Sequence, residues 1–321
     1  MVWLREKIGV MNAFEALPGK IKRGLSGLTA FPSDDRGVAL ALGGGGVRGF
    51  AHLGFLRVLE EEGVPVRGLA GTSAGALASC VYAFGLPLRP EPVLEALESL
   101  GQLLSRGGML SRWRWLLSIS RRPALVEDDE LVGGIAGLFG ERRLEESRVP
   151  VAVVTADLRS GDVVVLREGP AARAVAASCA IPGVFPPFEQ DGRLLVDGAV
   201  TDKVPVSAAR SVGGGVPVIG VDVSNPVPPS AAPRNGVEAA IMAGDASRRR
   251  LTQISLQEAD LAVRLPLERQ VERFEMQEAE RLYRLGMEVG EEHLPEIKRL
   301  LDRNGVDSMV RRTYARLAFR T

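Results

Sequence analysis

The chain has 321 residues, 45% hydrophobic and 25% charged, which suits one large α/β domain or two smaller ones and excludes a wholly disordered polymer. Its 40 basic and 40 acidic side chains cancel to a formal net charge of zero, so the molecule as a whole has no bulk attraction for nucleic acid. Two cysteines, Cys80 and Cys179, sit among small apolar residues, as buried reduced thiols do, rather than in a disulfide or metal-binding pattern.

Leu4, Ile8 and Met11 recur at helical spacing until Pro18-Gly19, among Arg5, Lys7, Lys20, Lys22 and Arg23. This predicts a basic amphipathic extension over residues 1–36. Asn12 and Glu15 interrupt its apolar stretch, unlike a secretory leader, and no run of about eighteen apolar residues occurs. The expectation is a soluble, cytoplasmic protein.

The core is predicted to begin at "VALALGGGGVRG", where a short apolar run, as in a strand buried on both faces, feeds a glycine loop. From Phe50 the apolar residues Leu53, Leu56 and Leu59 share a helix face, and the helix stops at Gly63. "VPVRGLAG" reads as a second strand that runs into "GTSAG", and "AGALASCVYAF" as a helix with no polar face, which must be covered on all sides. Residues 86–148 read as mixed helix around the Trp-containing "MLSRWRWLLSIS".

"VPVAVVTADL" and "DVVVLREG" read as paired strands about the turn Arg159-Ser160-Gly161, "RLLV" as an apolar strand ahead of Asp197, and "GVPVIGVDVS" as a further buried strand. From about residue 245 the pattern is charged amphipathic helix, with no internal repeat or low-complexity tract. At the end, Val310, Tyr314 and Leu317 share a face among Arg311, Arg312, Arg316 and Arg320, a short basic amphipathic segment.

Two motifs carry chemistry. In Gly71-Thr72-Ser73-Ala74-Gly75 a serine stands between glycines at a strand-to-helix turn. Such a turn can project a nucleophilic hydroxyl from the sheet edge, while the alternative is an ordinary N-terminal helix cap. Gly44 to Gly49 fits G-x-G-x-x-G, but a dinucleotide site expects an acidic residue at the end of the next strand, and that strand ends in Gly68-Leu69-Ala70-Gly71. The competing reading makes the backbone amides of the loop an oxyanion hole beside Ser73.

Together, "LALGGGGVRGFAHLGFLRVLEEEGVPVRGLAGTSAGAL" and "ASCAIPGVFPPFEQDGRLLVDGAV" resemble the bacterial patatin-like phospholipases over roughly residues 37–265. The matching elements are the loop Gly44-Gly45-Gly46-Val47-Arg48-Gly49, the nucleophile elbow bounded by Gly71 and Gly75, and Asp197-Gly198-Ala199. The resemblance implies an α/β/α three-layer sandwich with a mostly parallel central sheet over 37–265, and the charged helical pattern beyond it is read as a C-terminal helical segment over 266–321. It implies a Ser73–Asp197 catalytic dyad, an oxyanion hole at Gly44, Gly45 and Gly46, and a lipid ester substrate such as a phospholipid or lysophospholipid. Lys203 in "TDKVPV" stands where members of the family often have asparagine.

Counting bases leads the same way. His52 lies by the glycine loop, where packing is the simpler role, and His293 lies in the charged stretch "GEEHLPEIKR". Without histidine a carboxylate must take the serine proton, and partial desolvation would raise its basicity. Asp197 follows an apolar strand; Asp157 and Asp222 also end strand-like runs, where turn hydrogen bonding is the expectation. Arg48 either braces the loop through backbone carbonyls or meets a substrate phosphate.

The chemistry expected is acyl transfer to water without a metal or organic cofactor. The alternative is a catalytically weak, membrane-associated lipid-binding or regulatory protein with the same fold. Trp113 and Trp115 belong either to a rim over the lipid entrance or to packing under a connecting loop. The basic ends would permit reversible peripheral contact with an anionic membrane, or would simply dock on the domain.

Overall fold

The computed structural model describes residues 36–105, 128–227 and 232–318. The N-terminal extension, the Trp113–Trp115 stretch and the side chains of the C-terminal basic segment lie outside the described residues.

The core strand β1 (Val38–Leu42) is buried at every position. A 3-10 turn over Gly46–Gly49 leads into α1 (Phe50–Glu61), then β2 (Val66–Thr72), α2 (Ala74–Ala83), α3 (Pro90–Ser105) and α4 (Asp128–Phe139). There follow β3 (Val151–Asp157), β4 (Val163–Leu166), α5 (Ala171–Ser178), β5 (Phe188–Gln190), β6 (Arg193–Asp197) and α6 (Val206–Val212). The chain continues through β7 (Val218–Asp222), α7 (Gly236–Gln257), β8 (Leu261–Arg264) and α8 (Ala279–Ala318).

The sheet runs β5-β6-β3-β2-β1-β7-β8, with β4 also paired to β3. Pairings among β3, β2, β1, β7 and β8 are parallel, whereas β4, β5 and β6 join antiparallel. The period-two alternation of strand side chains sorts the core into two layers. Val38, Leu40 and Leu42 face a large cluster with α1, α2, α4 and α5, while Ala39 and Ala41 face a smaller one with Val206, Ala209 and Leu256 of α6 and α7. Alanines on the second face bring α6 close to β1 and β2, giving the expected three-layer sandwich.

Two strands differ from the sequence reading. The three-residue β5 and the four-residue β8 are too short to show a period, and β8 lies within the stretch read as mostly charged amphipathic helix. One compact unit spans Arg36–Asn304 and so takes in residues 266–304 of the C-terminal helical segment. Leu282, Val289 and Ile297 of α8 are buried in the large cluster, because this helix carries an apolar stripe among its charges.

The approach of α1 and α8 requires glycine. A Cβ on Gly286 would collide with the Ala51 carbonyl, and one on Gly54 with the Tyr283 carbonyl, both backbone atoms that cannot rotate away. Gly286→Ala should therefore cost about 1–3 kcal/mol, as overpacking does. Gly133→Ala in α4, where a Cβ meets nothing within 4 Å, should stabilise by up to about 1 kcal/mol. Denaturant unfolding of the two variants checks the contrast.

Candidate active site

Strand register brings the site together. Thr72, the last residue of β2, pairs with Val154, and the next residue of β3, Thr155, pairs with Asp197 at the end of β6. Ser73 thus leaves the sheet about two strand spacings, roughly 9.6 Å, from Asp197, within reach of two side chains pointing together. Leu42 of β1 pairs with Gly71, so the glycine loop that follows β1 emerges beside the same serine.

Ser73 has φ 55° and ψ −123°, one of two non-glycine residues with positive φ among those described. Such a conformation costs about 1–3 kcal/mol and persists only where its surroundings enforce it. Here they do. A Cβ on Gly71 would strike the Gly75 carbonyl, and one on Gly75 would strike the Leu42 carbonyl, so the turn can close only between glycines. The Ser73 N–H donates to Ser178 Oγ at 2.8 Å, and that hydroxyl donates to the Val154 carbonyl at 2.6 Å, tying the turn to β3.

The capping alternative is not realised. Ser73 occupies the position before α2, yet its side chain makes no capping hydrogen bond, so the hydroxyl is left for other partners. The Ser73 side chain pulls on both the Asp197 carboxyl and the Cys179 thiol, which places these two groups in its neighbourhood. Both Ser73 and Asp197 are nearly closed off, at 7% and 6% exposure.

Burial pushes the Asp197 carboxyl above its ordinary value, against the opposing pull of the Ala199 N–H, the Ser73 hydroxyl and the charges of Arg273 and Arg248. The Ala199 N–H donates to Asp197 Oδ1 at 2.8 Å and fixes the carboxylate plane. Asp157 and Asp222 are occupied otherwise: Asp157 accepts from the Arg159 and Leu194 amides, and Asp222 from the Ser224 amide. Both close strand-end turns.

The glycine loop lies against the serine, with the site of a Gly44 Cβ only 3.3 Å from Ser73 Cβ. Of the three glycines expected to supply oxyanion donors, Gly44 is spent, because its N–H donates to the Lys203 carbonyl at 3.0 Å. The Gly45 and Gly46 amides have no protein acceptor among the described residues. Gly46 has φ 60°, and a Cβ there would press on the Arg273 backbone.

Arg48 is the brace of its two alternatives. It is buried and donates through Nε to the Val223 carbonyl at 2.8 Å and through Nη1 to the Val271 carbonyl at 2.5 Å. Burial lowers its pKa to about 10.

His52 is a second brace. It is fully buried, its Nε2–H donates to the Gly43 carbonyl at 2.8 Å, and Nδ1 has no partner. Burial holds its pKa down at about 4, so it is neutral. His293 bonds through Nδ1 to the Val289 carbonyl one turn back in α8, and no contact joins it to Ser73.

Sequence reasoning missed three participants. Ser178 anchors the Ser73 amide; Cys179, its thiol pushed up to about 12 by burial, feels the Ser73 side chain; and Arg273 lends its carbonyl to the Val47 amide and its charge to Asp197. Ser178 and Cys179 lie in the "ASCAIPG" block already singled out, whereas Arg273 carries no local signal. Lys203, the unusual residue of that reading, is half-buried with its pKa lowered by desolvation to about 8, and its Nζ donates to Ser224 Oγ at 2.5 Å.

The neutral buried His52 makes the fold acid-sensitive in a defined window. Its folded pKa of about 4 lies below the ordinary 6.5, so its contribution is fully present above pH 6.5 and is lost as the pH falls from there through 4. The change approaches about 3 kcal/mol at 1.36 kcal/mol per unit. His52→Gln, which keeps a donor for Gly43 but does not titrate, should flatten that part of a Tm-against-pH curve.

Comparison with known proteins places this geometry. Residues 40–210 match the family model for patatin-like phospholipases. An uncharacterized NTE family protein of Mycobacterium tuberculosis is 34% identical over 175 residues, covering 54% of this chain and 46% of that protein. The lysophospholipase nte1 of Neurospora crassa is 32% identical over 191 residues, 59% of this chain and 12% of its own length. The chain therefore spans less than half the length of these relatives. VipD from Legionella pneumophila aligns with a TM-score of 0.42 and 15% identity over 81% of this chain and 67% of its own. With the family model covering more than half of its residues, the chain belongs to the patatin-like phospholipase family.

Proposed function

We propose that the protein is a serine acyl hydrolase that cleaves carboxylic esters of lipids, a phospholipid or lysophospholipid, through Ser73 and Asp197. The observation that carries this reading is the strained backbone at Ser73, held between Gly71 and Gly75 with the hydroxyl free of any capping bond, near a buried carboxylate that feels it. Strain of this kind is retained where a reaction uses it. Family membership supports the same reaction class, and the word lysophospholipase in the fungal relative's name supports the substrate class.

In the proposed mechanism Asp197 accepts the Ser73 proton as Oγ bonds to the ester carbonyl carbon. The Gly45 and Gly46 amides take the developing negative charge on the carbonyl oxygen, a contribution of about 10²–10³ in rate per donor. The C–O bond of the ester breaks, the leaving alkoxide receives the proton from Asp197, and an acyl-serine remains. Water then attacks that acyl group, giving its proton to Asp197, and Ser73 Oγ leaves with a proton returned. Burial of Asp197 serves the first step, since a carboxyl with a raised pKa is a better base.

No helix among the described residues is long and apolar enough to cross a membrane. We place the enzyme in the cytoplasm, reaching substrate lipid by reversible contact with a membrane surface.

Ser73→Ala should abolish turnover of short p-nitrophenyl esters while leaving the thermal transition near that of the wild type. Wild-type turnover in the folded variant would contradict the serine mechanism and favour a lipid-binding role. Asp197→Asn should lower kcat by about 10²–10⁴, and His293→Ala should retain most activity. The acid limb of kcat/KM should lie above the ordinary carboxylate pKa, activity falling as the pH drops through the raised value of Asp197; a limb at or below the ordinary value would exclude Asp197 as the base.

A further inference from the structure

The N-terminal half of α7 carries an apolar surface with nothing described against it. From Val237 to Ala246 it reads "VEAAIMAGDA", with Glu238 and Asp245 as its charges. Val237, Ile241 and Met242 are 49%, 51% and 40% exposed, and Ala239, Ala240, Ala243 and Ala246 are exposed as well. A helix segment that is apolar on nearly every side is ordinarily covered by a core or by lipid. Here the helix's buried residues, Thr252 and Leu256, both lie in its other half.

The helix overhangs the domain. Its C-terminal half docks through Thr252 and Leu256 and through Ser255 Oγ, which donates to the Val204 carbonyl. Val237, Ile241, Arg248, Thr252 and Ser255 fall along one stripe at helical spacing. The stripe that packs at 252–255 is therefore the one left open at Val237 and Ile241. Arg248, on the same stripe, exerts its charge on both Asp197 and Lys203, linking the base of the overhang electrostatically to the site.

Charge singles out an occupant. Arg248, Arg249 and Arg250 follow the apolar half directly. Arg248 is paired with Asp245, whereas Arg249 and Arg250 join no ion pair among the described residues. An apolar segment continued by unpaired arginines matches a layer that is hydrocarbon inside and phosphate at its surface.

We propose that the N-terminal half of α7 is the face by which the protein docks on an anionic lipid bilayer, Val237, Ile241 and Met242 entering the acyl boundary while Arg249 and Arg250 meet the phosphates. The assignment rests on the lipid-ester reading, since it brings the site around Ser73 to the surface where such substrates lie. A second copy of the chain, or a segment outside the described residues, would be a different occupant.

The test is sedimentation of the full-length protein with phosphatidylcholine vesicles, with and without phosphatidylglycerol. The paired variants are Ile241→Asp with Met242→Asp, and Arg249→Gln with Arg250→Gln. Wild type should bind the anionic vesicles preferentially. The apolar pair should weaken binding more than about tenfold, the effect of withdrawing even one aliphatic side chain from lipid. The arginine pair should weaken it about fivefold per residue. Circular dichroism and turnover of a soluble short-chain ester should stay at wild-type levels in both variants.

Wild type that ignores both vesicles, or variants that bind as wild type does, would overturn the proposal. So would light scattering in which the apolar pair converts a dimer to a monomer, which would assign the face to a second copy. Vesicle binding that depends on these residues in a protein without esterase turnover would uphold the docking face and count against the acyl-hydrolase reading alone.

Discussion

The positive φ of Ser73 is the constraint on which the rest of the site depends. A serine there is held against a penalty of about 1–3 kcal/mol, and three separate structures hold it. Gly71 and Gly75 allow β2, α2 and the end of β1 to meet backbone to backbone. The Ser178 hydroxyl bridges the Ser73 amide to β3. The enclosing layer of α2, buried over most of its length, leaves the turn no room to relax. The cost is local and the support is distributed, so the turn is a property of the sheet's whole C-terminal edge.

Around that turn the protein buries polar groups and makes each one useful to its neighbours. His52 is kept neutral and Arg48 charged, and both donate to backbone carbonyls that shape the glycine loop or the strand beside it. Lys203 gives its carbonyl to Gly44 and its ammonium to Ser224, whose hydroxyl donates to Asp222 at 2.5 Å. Buried donors without acceptors are costly, so this network fixes the loop's shape as firmly as packing does. Gly44 holds the loop in place, and the following two amides have no protein acceptor among the described residues. Desolvation raises the Asp197 carboxyl at the same time as it lowers Lys203 and His52.

Much of the fold was legible because its signals are local. Val38–Leu42, Val151–Asp157 and Val218–Asp222 are runs of small and branched apolar residues, as strands buried on both faces must be, and α2 has no polar side at all. Two short strands were not legible: β5 has three residues, and β8 alternates buried and exposed positions over only four, inside a charged stretch. Nor did α8 announce the core residues it carries, since its buried Leu282, Val289 and Ile297 are spread seven or eight residues apart among charges. At the site, glycine spacing marks the turn and the loop, but the commitment of the Gly44 amide to Lys203 depends on a residue far along the chain. Arg273 is still more remote, reaching the loop through its backbone carbonyl, an interaction any residue type could make.

The central claim is that Ser73 is an activated nucleophile, and covalent labelling tests it most directly. Wild-type protein treated with a fluorophosphonate and analysed by intact mass and peptide mapping should carry one phosphonyl group per chain on Ser73, with the reaction greatly slowed in Asp197→Asn. Folded protein that stays unlabelled, or label on another residue with Ser73 free, would contradict the account.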